Sequence, residues 1–444
     1  MTDWFSKSSA EILALPALAV PAGRVSGRVT PPASKSLTQR YLNLALLARR
    51  PLVVERPLVA EDSHLFLAAL ERCGFAVELG RGEVRLDPRG HLPQVAEIFC
   101  GPNGTMFRFL TASLTALPGR WTVDGIPRLR QRPVGPLVTA LRQLGAEITY
   151  LGKEGFAPLE IRGGSLQGGR AVLDAGESSQ YLSALVQASL KAHEPVTVEV
   201  TALASSPYLT LTLDAIEAFG GQVAWNGERV HVHPGNLKVS RVRVDGDDSA
   251  AAYPAAAAAL MGGPVVIEGL NPRSKQGDRG FLAVLERMGA TIVWRPDGGV
   301  EVRGESLRAV TEDLGEMPDQ VPTLAALAPF ARGITRIGNV PHLRLKESDR
   351  LGAMAQELRR LGAMVEELPD GLVIPGVWAD GVPQDLPPVA VESHGDHRIA
   401  MSLALVALGR GGVTVNNPGV VAKSYPEFWR DVVSLLDPPP QPPR

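Results

Sequence analysis

The chain has 444 residues, 45% hydrophobic and 21% charged, enough for two or three domains with sizeable cores. Its 46 Gly and 37 Pro stay below low-complexity levels, which excludes collagen-like and disordered classes. Lys and Arg (45) nearly balance Asp and Glu (47), so at net charge −2 there is no global basic footprint for nucleic acid.

The apolar start, residues 12–22, adjoins Glu11, is broken by Pro16 and Pro21 and follows only Lys7, so we expect no secretory leader. From Ser34 onward one unit recurs: helix, short β-branched strand, second helix, strand. Ser34-Lys35-Ser36 opens LTQRYLNLALLA, a strand centres on Val54, and LERCGFAVEL carries Gly74. Gly104-Thr105, a strand at Val123, Arg132-Pro133 and LRQLGAEITY with Gly145 repeat the pattern. Ser178-Ser179-Gln180, a strand at Val198, Ser205-Ser206-Pro207-Tyr208 and Gly220 form a third copy. Asp247-Asp248-Ser249 opens a fourth, with a strand at Ile267 and Gly289. Its uncharged stretch, residues 249–267, is mostly Ala and is interrupted by Pro254, Gly262, Gly263 and Pro264, which argues against a membrane helix. Pro318-Asp319, Ile337, the run Lys346-Glu347-Ser348-Asp349-Arg350 and Gly362 make the fifth. Asp396-His397-Arg398, Val415 and Lys423-Ser424-Tyr425 begin a sixth, which stops in FWRDVVSLL.

The five glycines lie 71, 75, 69 and 73 residues apart, and the six strand centres are spaced by about 72. Each glycine fits a C′ position in the left-handed region, where the missing Cβ removes the steric cost. A period of this length makes each unit a subdomain, and six of them form one array or two lobes of three. The stretch VRVDGDDS follows the third unit as a crossover, and the segment before Ser34 can supply the strand the sixth unit lacks. We therefore expect one lobe from residues 1–33 and 246–444 and a second from 34–245. Cys73 and Cys100 form neither a disulfide framework nor a zinc pattern, which suits a reducing compartment.

The unusual polar residues gather at expected helix starts, where unpaired N–H groups and the positive dipole end bind anions. Ser34, Asp247 and Ser249 also suit plain N-caps. Capping does not explain Lys35, Arg40, Arg132, Lys346, Arg350, Arg398 and Lys423, because the dipole disfavours cations in a first turn. Together they suit substrates rich in phosphate and carboxylate. Asp319 and Glu347 are carboxylates beside them, fit either for charge balance or for proton transfer. Neither HExxH nor GxxxxGK[ST] occurs.

Eight segments, PPASKSLTQR, PRLRQRPVGPL, ESSQYLSAL, SSPYLTLTL, VDGDDSAAAY, LKESDRLGAMAQELRRLGA, GDHRIAM and VAKSYPEFW, stand in order between about Gly27 and about Leu436. They resemble the 5-enolpyruvylshikimate-3-phosphate synthase (EPSP synthase) family. The resemblance implies a two-lobed inside-out α/β barrel of six βαβαββ repeats, three per lobe, helices inside and sheets outside. It places the active site in the cleft between the lobes. It implies transfer of the carboxyvinyl group of phosphoenolpyruvate to the 5-hydroxyl of shikimate 3-phosphate, with release of phosphate through a tetrahedral intermediate. This is a cytoplasmic step of aromatic amino acid biosynthesis and a target of glyphosate. No cofactor, metal, nucleic acid or membrane is expected, and the enzyme is expected to be a monomer.

By resemblance, Lys35, Ser36 and Arg40 form a lysine–serine–arginine site, with Lys35 near both substrates. Ser178, Ser179, Gln180, Ser205, Tyr208, Asp319 and Lys346 match the shikimate 3-phosphate set. Gly104, Arg132, Gln180, Arg350, Arg398 and Lys423 match the phosphoenolpyruvate set. Asp319 matches the base for the 5-hydroxyl, and Glu347 the proton donor to the methylene carbon. Two departures, Pro102-Asn103 for the common Asn-Ala and His342 for a frequent Asn, keep Asn103 and His342 out of the set. The related UDP-N-acetylglucosamine enolpyruvyl transferases commonly use a loop cysteine, whereas residues 125–133 here have none. A non-catalytic anion-binding scaffold would have lost charged site residues, yet the main ones are present.

Overall fold

The computed structural model describes residues 4–89 and 91–437. The chain divides into two compact units, residues 33–244 and residues 1–32 with 245–444, each with its own hydrophobic core. The last few residues at either end fall outside the described part.

In the unit 33–244, three helices are buried almost all round: Lys35–Ala48, Gly104–Ser113 and Ser179–Ser189. Leu37 through Leu47 are buried without a break, which marks a core helix rather than an amphipathic one. The three touch one another, and buried amides and hydroxyls tie them. Asn43 Nδ2 donates to Gln187 Oε1 (3.1 Å), and Ser113 Oγ donates to Asn43 Oδ1 (2.9 Å). Satisfied in this way, the polar groups avoid the desolvation cost of a buried unpaired amide. Helices Glu61–Arg72, Gly135–Gln143 and Pro207–Ala218 bury one face only.

Three four-stranded sheets complete the unit, and all have one order. In one, Val95–Phe99 runs parallel to Gly119–Asp124, which pairs antiparallel with Leu159–Gly163, and this in turn with Glu147–Tyr150. The sheets built on Val196–Leu203 and Leu52–Glu55 repeat that order.

The other unit is built likewise. Helices Asp248–Met261, Val321–Leu327 and His397–Arg410 are the buried, mutually touching ones. The uncharged stretch from Ser249 is thus a core helix that contains Pro254, and no described helix is long and apolar enough to cross a membrane. Two four-stranded sheets, built on Val265–Ile267 and Ile334–Gly338, show the same order. Val413–Asn416 has a parallel partner, Val389–Glu392, and an antiparallel one, Ala17–Val20. Part of the apolar start, Ala17–Val20, is therefore a strand in this sheet, after the short helix Ser9–Leu13.

The repeated glycines do what their spacing suggests. Gly74, Gly145, Gly220, Gly289 and Gly362 have φ of 79°, 89°, 75°, 107° and 95°, each just past the end of a helix. A side chain there would be strained in the left-handed region.

Candidate active site

In the unit 33–244, site residues sit where buried helices begin. Ser34 caps the first, accepting from Leu37 N (3.4 Å), which puts Lys35 at its first position. Lys35 Nζ lies 3.6 Å from Asp62 Oδ2 on the neighbouring helix, and Asp62 is buried. Asn103 caps the second helix, accepting from Met106 N (2.9 Å) and donating to Asp62 O (3.0 Å). Its side chain is thus committed to structure. Gly104 follows, and the guanidinium of Arg132 packs against it. Arg132 is 6% exposed, and its buried Nε has no partner among the described residues.

Ser178 caps the third helix, accepting from Gln180 N (3.3 Å). Both ends of the Gln180 amide are held: Arg108 Nη1 donates to its oxygen (2.6 Å) and its nitrogen donates to Thr105 Oγ1 (3.0 Å). Arg108 also donates to Pro133 O (3.3 Å) and stacks over Tyr181, ring centroid 5.0 Å away. Ser179 begins the helix and is buried. Ser205 adopts φ 55°, unusual for a residue with a Cβ, at the turn into the helix bearing Tyr208. Arg40 is 2% exposed and faces neutral acceptors. It donates to Thr212 Oγ1 (2.8 Å), Ser36 O and Tyr208 O (2.9 Å each), and burial lowers its pKa to about 10. Arg40 thereby braces the backbone of Ser36 and Tyr208.

In the other unit, one guanidinium organises the site. Arg350, 2% exposed, opens helix Arg350–Arg360 behind the cap Asp349. Its Nη1 meets Asp319 Oδ1 (2.8 Å), its Nη2 meets Glu347 Oε2 (3.1 Å) and its Nε meets Asp396 Oδ2 (2.8 Å). Burial works against this cation, but Asp396, Glu347 and Asp319 outweigh it and raise its pKa. Each of two carboxylates has a further cation: Arg398 Nη2 on Asp319 Oδ2 (2.5 Å) and Lys423 Nζ on Glu347 Oε1 (2.6 Å). Asp396 caps the helix carrying Arg398 and accepts from Arg398 N (2.9 Å). His342 is buried, with Nε2 unpartnered among the described residues; burial, then Lys346, lowers its pKa to about 4, so the ring is neutral at pH 7.

Of the seven cations expected in or near first helical turns, Lys35, Arg350 and Arg398 lie in them and Arg132 stands just before helix Gly135–Gln143, whereas Arg40 is the sixth residue of its helix. Arg132 caps the C-terminal end of the 3-10 helix Leu129–Gln131, and Lys346 that of Pro341–Leu345. Lys423 is the last residue of the 3-10 helix Pro418–Lys423. Cations suit those carbonyl-rich ends. Sequence reading also passed over Arg108, Asp62 and Asp396 as partners. Only Asp396 carried a signal, as a helix cap next to Arg398, since the other two contacts join distant segments.

This chemistry suits anions that compete for occupied cations. A phosphate or carboxylate at Arg350, Arg398 or Lys423 would compete with Asp319 and Glu347 for the hydrogen bonds these cations make. Among the described residues, no group of His, Cys, Asp and Glu is arranged to hold a metal ion.

The family model for EPSP synthase (3-phosphoshikimate 1-carboxyvinyltransferase) matches residues 20–432. A 3-phosphoshikimate 1-carboxyvinyltransferase of Syntrophobacter fumaroxidans is 44% identical over 420 residues, covering 94% of this chain and 98% of that one. One from Pseudoalteromonas translucida is 40% identical over 432 residues, covering 94% and 98%. The solved EPSP synthase of Acinetobacter baumannii superposes with a TM-score of 0.78 at 28% identity, over 95% of this chain and 97% of that one.

Proposed function

Because the chain belongs to the EPSP synthase family, we propose a division of labour among its residues for the activity it carries, that of a 3-phosphoshikimate 1-carboxyvinyltransferase. The reaction joins C2 of phosphoenolpyruvate to the 5-oxygen of shikimate 3-phosphate and releases phosphate. A proton is added to the methylene carbon to form the tetrahedral intermediate, and a proton leaves that carbon in the elimination. Two groups able to trade protons are therefore needed.

One observation carries the assignment: Asp319 and Glu347 sit on the two Nη atoms of a single guanidinium, that of Arg350. In our reading, phosphoenolpyruvate engages Arg350, Arg398 and Lys423, and Gly104, Arg132 and Gln180 keep the phosphoenolpyruvate role that the family pattern gives them. Asp319 then receives the proton of the 5-hydroxyl and Glu347 serves the methylene carbon. Lys35 keeps the role that the family pattern gives its lysine. Ser36, Arg40, Ser178, Ser179, Ser205 and Tyr208 hold shikimate 3-phosphate, Arg40 also bracing the backbone of Ser36 and Tyr208, and Lys346 keeps the role that the family pattern gives it. Binding is an exchange of ion-pair partners, so affinity reflects the difference between substrate and internal carboxylates.

The finer architecture is part of the same proposal: six related units, three in each half of the chain, with helices inside and sheets outside. The shared order of the five four-stranded sheets supports it. A cytoplasmic setting suits two buried thiols. We propose a monomer.

Phosphate release measured with phosphoenolpyruvate and each acceptor tests the assignment. Turnover with shikimate 3-phosphate and none with UDP-N-acetylglucosamine is expected. Turnover with the sugar nucleotide alone, or with neither, contradicts it. The sugar-nucleotide reading is not favoured, because both cysteines are buried, and burial pushes the Cys73 thiol up to about 12 and that of Cys100 up as well.

A further inference from the structure

Glu357 lies seven residues beyond Arg350 on the same helix and is fully buried, yet it belongs to neither substrate set. Both its oxygens are in use. Oε1 accepts from His394 Nε2 (2.9 Å) and Gln356 Nε2 (3.3 Å). Oε2 accepts from Arg360 Nη1 (2.9 Å) and from the backbone N–H of Glu392 (3.2 Å). Arg360 adds a second grip on the same strand, donating to Ala390 O (2.7 Å). A buried carboxylate carries a large desolvation penalty unless it is paired and hydrogen-bonded in this way.

What it grips leads directly to the site. After strand Val389–Glu392 the chain turns through His394 and Gly395, with φ of 52° and 66°. A left-handed histidine is uncommon and needs surroundings that enforce it. The turn closes with Asp396 N donating to Ser393 O (2.9 Å). Asp396 then meets Arg350 and starts the helix that carries Arg398. The helix Arg350–Arg360 thus holds this strand and turn at two points two turns apart, Arg350 on Asp396 and Glu357 on Glu392 and His394.

We infer that Glu357 is a positioning residue: by fastening the 392–396 turn to the Arg350 helix, it fixes where Arg398 stands relative to Arg350. Both guanidiniums must reach one carboxylate, Asp319, through its two oxygens. A displacement of the order of 1 Å in such a clamp costs up to about 10²-fold in rate. The inference rests on the reading that Arg350 and Arg398 bind phosphoenolpyruvate.

The experiment compares Glu357→Ala, Glu357→Gln, Arg398→Lys and the double variant Glu357→Ala with Arg398→Lys. KM for each substrate, kcat and the folded fraction by circular dichroism are measured. The expected result is a KM for phosphoenolpyruvate raised about tenfold in Glu357→Ala, with that for shikimate 3-phosphate nearly unmoved. Glu357→Gln, which keeps one acceptor oxygen, should fall between it and wild type, and it serves as the test variant if the alanine form does not fold. Combined with Arg398→Lys, the alanine substitution should add less than it does alone, because both act through one group. A loss of activity that follows the folded fraction with both KM values unchanged overturns the inference, as does full additivity. If Arg398→Lys leaves the KM for phosphoenolpyruvate unchanged, the site reading itself fails and the inference fails with it.

Discussion

Arg132 occupies the space that a side chain at Gly104 would need. A Cβ there would stand 2.6 Å from Arg132 Cζ and 2.9 Å from its Nη2. The obstacle is the far end of a flexible side chain, so Gly104→Ala should fold by moving Arg132 rather than backbone. We predict a rise in KM for phosphoenolpyruvate of about tenfold. Glyphosate should weaken more than the substrate, because it is the longer molecule. Inhibition constants for both forms check this, and unchanged values for both ligands would separate the turn from the pocket.

Glu347→Gln keeps the shape of the side chain and removes its ionisable proton. The variant should lose kcat by about 10²-fold or more, with smaller changes in KM. It also deprives Lys423 of its carboxylate at 2.6 Å. Steady-state kinetics across pH separate the two roles, and an effect confined to KM would reduce Glu347 to a binding group.

Asp278 is buried and accepts the hydroxyl of Ser249, while its other oxygen has no partner among the described residues. Burial first, then the charge of Asp319, raises its pKa to about 7. The folded protein therefore holds this proton from the unfolded value near 4 up to about 7, and stability falls with pH across that window. The limiting slope for one such proton is about 1.4 kcal/mol per pH unit. Asp278→Asn accepts the same hydroxyl without an ionisation, so its thermal midpoint should gain on wild type from pH 5 to pH 7 and level off above. A constant offset at every pH would show that Asp278 does not titrate there. Asp248 nearby is also raised to about 7 by burial, so Asp248→Asn is the natural companion variant.

Cys73 and Cys100 should resist alkylation in the folded enzyme, since both are buried and their thiols are raised, chiefly by burial. Iodoacetamide at pH 8 should label neither until denaturant is added, and activity should survive the treatment. Mass spectrometry reads the result, and rapid native labelling at either position would contradict the buried placement.

Much of the site was legible along the chain because several of its residues are tied to helix starts. Lys35, Arg350 and Arg398 lie within the first two positions of helices whose caps, Ser34, Asp349 and Asp396, are recognisable N-cap types. Lys423, Arg132 and Lys346 share the cation pattern, but each closes a short 3-10 helix. Short 3-10 helices have no sequence period long enough to reveal them. Arg40 shows another limit. Its position in the chain marks it as a substrate ligand, and only the fold shows that its donors also meet Ser36, Tyr208 and Thr212, the last two on a helix more than 160 residues away.

The repeating order of elements follows from the local pattern of the chain. A period near 72, β-branched strands, unbroken apolar helices and a C′ glycine are all local properties, decided within a few residues by sterics and burial. The same pattern marks the charged residues that have no local reason to be where they are. Their partners come from the fold. Arg350 meets Asp319 31 positions before it and Asp396 46 positions after it; Arg108 meets Gln180 72 positions later; Arg132 settles on Gly104. Ion pairs and buried hydrogen bonds depend on distance in space to a fraction of an ångström, and no local periodicity carries that information.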